Sequence, residues 1–169
     1  MKRLIVISFL FLSLTTGFSQ SYKNSVGIRG GYSSGITFKH FVSSDVAYEG
    51  ILGDVWYGGF KLTGLRINHT PALLDLANGF YFMSGYGLHV GAAYYDRNEE
   101  FFGYHHYYSY DNNVDYGPFI GIDGYLGLEY RIKEIPLVIG LDYKPFFEIA
   151  PHYAGINLFD LGLSLKFRF

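Results

Sequence analysis

The 169-residue chain has no cysteine. That excludes a disulfide framework, a thiolate nucleophile and a Cys-ligated zinc centre. It also has no basic excess: 13 Lys and Arg stand against 15 Asp and Glu, a formal charge of −2. A nucleic-acid partner would need a basic surface, so none is expected. Beyond the N-terminal segment no apolar run reaches the ~18 residues that a membrane helix requires, which excludes helical spans. No EF-hand loop and no HExxH motif occurs. His40, His69, His89 and His152 are scattered, and none has a serine at a telling spacing for nucleophilic catalysis. No catalytic residue, cofactor or metal site is expected.

What the chain does have is alternation. Phe159, Leu161, Leu163, Leu165, Phe167 and Phe169 share one face of the C-terminal segment, and Asp160, Gly162, Ser164, Lys166 and Arg168 share the other. A strand sends successive side chains to opposite sides, so one face is wholly apolar and the other polar. At the other end, Lys2 and Arg3 precede an apolar run over residues 4–14, and Gly17 and Ser19 are small residues at the spacing of a signal-peptidase site. Residues 1–19 are therefore read as a signal peptide, with the barrel domain described below over 20–169. The run is too short to span a hydrocarbon core of ~30 Å.

Eight strand-like segments can be counted in the remainder, at about residues 25–32, 35–42, 46–56, 60–69, 80–95, 118–131, 135–146 and 159–169. Alternation slips in the third and fourth, where Ile51 and Val55, and Leu62 and Leu65, fall out of phase; a bulge at Gly53 or Gly64 would repair each slip. Residues 96–117 form the longest loop, and 147–155 a second long one. An even number of antiparallel segments brings the last beside the first, so the sheet can close without an edge. An exported chain crossing a membrane without helices must use a closed barrel. The expected fold is all-β, an eight-stranded antiparallel up-and-down transmembrane barrel.

Aromatic residues make up 20% of the chain and cluster near segment ends, as at Tyr32, Trp56, Phe80, Tyr94, Tyr130 and Tyr143. Rings at those places suit headgroup girdles. The polar faces carry Arg29, Lys39, Glu49, Asp123, Glu129, Asp142, Lys144, Lys166 and Arg168. In so narrow a barrel these charges point inward and must pair, giving a polar plug and not an open pore. The long loop presents Tyr104, His105, His106, Tyr107 and Tyr108, candidate surface-ligand contacts of low specificity.

Taken together, the signal segment, the eight alternating segments and the aromatic ending resemble the small eight-stranded outer-membrane barrels of the OmpA/OmpX type. The ending Asp160, Gly162, Leu165 and Phe167, followed by Arg168 and Phe169, resembles the signal such barrels present to their assembly machinery; Gly162, Leu165, Phe167 and Phe169 carry it. The resemblance implies the outer membrane of a Gram-negative bacterium, with outer-membrane lipid and the barrel-assembly complex as partners. It implies no single activity. The expected role is non-enzymatic, with external loops for interaction with an unknown surface ligand or for envelope integrity. Alternatives are a narrow small-solute channel, a lipid-modifying barrel enzyme, or an exported lipocalin-like binder with its apolar face inward.

Overall fold

Period-two alternation makes extended chain, and chain with one apolar face must turn that face away from water. The computed structural model describes residues 22–54, 58–73, 78–96, 103–104, 114–151 and 153–169. The segments are β1 Asn24–Gly31, β2 Gly35–Phe41, β3 Val46–Asp54, β4 Gly59–Pro71, β5 Phe80–Asp96, β6 Gly103–Tyr104, β7 Val114–Arg131, β8 Leu137–Tyr143, β9 Phe146–Ala150, β10 Tyr153–Asn157 and β11 Leu161–Arg168. Apart from β6, they build one closed eight-stranded antiparallel barrel. Strands β1 to β5 pair in sequence order, and β5 pairs β7. Segments β8 and β9 lie on β7 in a single unbroken register, as Leu126↔Tyr143 and Asp123↔Phe146 show, so together they form the seventh strand. Segments β10 and β11 form the eighth, and β11 closes the wall on β1. The ends Asn24 and Phe169 exchange two backbone hydrogen bonds of 3.0 and 2.9 Å.

The seventh strand passes straight through Pro145. Its missing N–H is one that would face Gly124 on β7, so that ladder gives up one bond, and the eighth strand on the opposite side bulges. Asn157 pairs Phe146, and Lys144 N–H donates to Asp160 O, so Leu158 and Phe159 together face the single Pro145. On the other side, Pro145 O accepts from Gly124 N–H. One circuit from Leu165 through Ile28, Ile36, Leu52, Leu62, Val90, Ile120 and Ile149 lands on Ala154, about eleven residues along the same last strand. Side chains alternate with period two, so an odd offset would bring an outward face round to an inward one. The count includes the extra residue of the bulge, so the offset in facing is even.

Several sequence expectations are corrected. The registers of β2–β3, β3–β4 and β4–β5 run without interruption through Gly53 and Gly64, so neither carries a bulge. Ile51 and Leu65 simply point inward, where they pack with Ile67, Met83 and Tyr125 as a buried apolar cluster. The barrel interior is therefore part apolar and not a wholly polar plug. Residues 147–155 are also largely not loop: the alternation of Phe146, Phe147, Glu148 and Ile149 carries the strand on to Ala150, and β10 returns from Tyr153. The sixth strand starts earlier than the sequence suggests, at Val114. Residues 1–21, including the expected signal peptide, lie outside the described residues.

The facing of the wall follows the C-terminal pattern. Leu161, Leu163 and Leu165 are 58, 61 and 47% exposed on the outer side, while Gly162 and Ser164 between them, and Lys166 after them, are buried. Ile28, Ile36, Leu52, Leu88, Ile120, Ile122 and Leu141 are likewise outward.

Candidate functional site: the ionic lumen

Inward parity on consecutive strands gathers ionisable side chains into the barrel interior. Arg29 comes from β1, Lys39 from β2, Glu49 from β3, Lys61 from β4, His89 from β5, Asp123 and Glu129 from β7, Asp142 from β8, Glu148 from β9 and Lys166 from β11; Lys144 and Asp160 come from the interruptions between segments. All twelve are buried. An isolated buried ion would cost several kcal/mol, so each must find a partner of opposite sign or a hydrogen bond.

They do so in two groups. Toward the β1–β2 turn, Arg29 meets Asp142 at 2.5 Å and Asp160 at 3.1 Å. Lys144 bridges Asp160 at 3.0 Å and Asp123 at 2.9 Å. His89 then faces Asp123 through Nδ1 at 2.8 Å and Glu148 through Nε2 at 2.9 Å. Lys61 completes the run, 3.5 Å from Glu148 and 3.9 Å from the centre of the Phe146 ring. Asn157 before the bulge and Asp160 after it both face inward, with the two outward residues between them.

Toward the chain ends, Lys39 lies between Glu129 at 2.7 Å and Glu49 at 3.2 Å. Glu49 also accepts from Lys166 and Thr37. Glu129 collects Arg131 at 2.9 Å and the Tyr22 hydroxyl at 2.8 Å, with His69 at 3.7 Å. Burial, and next the Glu129 carboxylate, hold the Tyr22 phenol above its ordinary range. The Arg131 guanidinium stacks 3.7 Å from the Tyr81 ring centre. Where the ionic group meets the apolar cluster, Lys39 Nζ lies 3.7 Å from Met83 Sδ.

Of the nine charges singled out in the sequence, eight lie in these groups. Arg168 does not: it is half-buried at the rim and donates to the Ile132 carbonyl at 2.7 Å. Lys61, His69, His89, Arg131, Glu148 and Asp160 complete the groups and were not singled out there. Strand parity marks Lys61 and His89 as inward, but Glu148 lay in a segment read as loop. Glycine makes room for the large side chains. A methyl group at Gly162 would collide with the Arg29 guanidinium, and one at Gly121 with the His89 ring.

Among the described residues no buried hydroxyl hydrogen-bonds a histidine, so no nucleophile–base pair is assembled there. Within the long loop, Gly103 and Tyr104 form β6, parallel to Gly155 and Ile156 of β10. His105, His106, Tyr107 and Tyr108 lie outside the described residues. In the C-terminal segment, Gly162 faces inward, Leu165 is exposed, and Phe167 stacks on Phe169 with ring centres 6.5 Å apart.

No protein-family model matches the chain, and no curated protein matches it. Among solved structures it is similar to the N-terminal β-barrel domain of Pseudomonas aeruginosa OprF, at 12% identity and a TM-score of 0.58, covering 86% of this chain and 95% of that one. At that identity the likeness is one of fold, and the fold of this chain is that of an OmpA-like eight-stranded barrel.

Proposed function

We propose that this chain is an integral outer-membrane protein of a Gram-negative bacterium. It is exported by a cleaved signal peptide over residues 1–19 and inserted by the barrel-assembly machinery through its aromatic C-terminal segment. Its role is non-enzymatic: the external loops meet a surface ligand or support envelope integrity, and the lumen is filled by side chains. The observation that carries this reading is the facing of the wall. Leucine, isoleucine and valine cover the outside of every barrel strand, while the charges pair within. In water, that much contiguous apolar surface would drive aggregation; against acyl chains it is the favourable arrangement. The likeness to an OprF barrel domain supports the location.

The test is membrane fractionation followed by detergent electrophoresis of boiled and unboiled samples. The protein is expected in the outer-membrane fraction and to migrate differently when unboiled. Recovery in the soluble periplasmic fraction with no heat-dependent shift would refute the reading.

A further inference from the structure

The outer face is not uniformly convex. Gly50 of β3 and Gly64 of β4 are direct register partners, and both face outward. A Cβ built on either meets nothing within 4 Å. Their missing side chains open a groove of ≈ 880 Å³, flanked by Phe38, Tyr48, Tyr86, Leu88 and Ile122. At one end stands Arg66, between Tyr48 and Tyr86 in the register, with His40 beyond Tyr48. Arg66 lies on the half of β4 nearer the barrel end that carries Asn24 and Phe169. Among the described residues it has no carboxylate partner; it donates only to the neutral Asn68 amide, at 3.2 Å.

A cation on the apolar side of a barrel needs a counter-charge or a route to water. An arginine stem can lie along apolar surface while its head reaches the interface, and its fork matches phosphate oxygens. An apolar groove one strand pair wide, closed at its interfacial end by a guanidinium with no carboxylate partner among the described residues, is complementary to an acyl chain joined to a phosphate. Resting on the membrane reading above, we propose that the Gly50–Gly64 groove holds an acyl chain of an anionic phospholipid from the periplasmic leaflet, its phosphate bound by Arg66.

The test is native mass spectrometry of the folded full-length barrel, released from micelles doped with equal phosphatidylglycerol and phosphatidylcholine. Wild type is expected to retain one phosphatidylglycerol, preferred about fivefold over phosphatidylcholine, the selectivity of a single basic contact at a lipid surface. Gly64→Leu, and independently Gly50→Leu, fill the groove from a Cβ that meets nothing within 4 Å and should abolish retention. Arg66→Gln should keep a bound lipid but lose the preference. Heat-modifiable migration is checked for every variant. Folded wild type that retains no lipid, shows no preference, or keeps its lipid unchanged in both leucine variants overturns the site alone. A wild-type chain with no heat-modifiable form overturns the membrane reading and the site together.

Discussion

At Gly162 the absence of a side chain is occupied by another residue. The Arg29 guanidinium lies where a Cβ would be, and from there reaches both Asp142 and Asp160. Gly162→Val should therefore cost about 1–3 kcal/mol through overpacking, read as a lower urea midpoint for unfolding in micelles. Arg29→Met should cost more, about 3–5 kcal/mol, because it takes from the buried Asp142 carboxylate its ion-pair partner and from Asp160 one of two. Equal stability of Arg29→Met and wild type would mean that the lumen is wet. At this scale the sequence was half legible. Parity alone marked Arg29, Lys39, Glu49 and Lys144 as inward. It could not pair them, because partners come from strands far apart in the chain: Arg29 and Asp160 are separated by 131 residues. Arg168 continues the polar alternation yet sits at the rim, on the Ile132 backbone carbonyl.

Within the eighth strand, the bulge sets two successive side chains, Leu158 and Phe159, outward, with Asn157 and Asp160 inward on either side. Deleting Phe159 removes the extra residue: alternation becomes regular, Asp160 stays inward and the circuit offset stays even, so the compact unboiled band should persist; a deletion variant that no longer folds would contradict the parity argument. Further along the same strand, Leu163→Arg should cost about 2–4 kcal/mol of insertion stability, measured by urea titration in lipid vesicles. The segments with clean alternation, β1, β2, β5 and β11, lie close to where the sequence places them. Ile51 and Leu65 read as slips only if every apolar residue belongs outside, whereas the lumen buries an apolar cluster of its own. The seventh segment, expected over 135–146, continues to Ala150.

Over the whole molecule, the wall is uneven. Strands β5 and β7 run 17 and 18 residues, while β2 runs seven, so one side of the barrel rises well beyond the other. The taller side carries β6, the two-residue strand from the long loop. Class, strand number and closure were legible because they follow from alternation and an even count; surface role was not, since no loop motif fixes a ligand. The facing of the wall can be read in lipid, and a chain without cysteine makes this clean. Single cysteines at Leu163, Ser164, Leu165 and Lys166 would carry a bimane label, with the protein reconstituted in brominated phospholipid. Strong quenching at 163 and 165 and weak quenching at 164 and 166 is the expected result. Quenching with the opposite alternation, or with none, would contradict a barrel whose apolar face meets acyl chains.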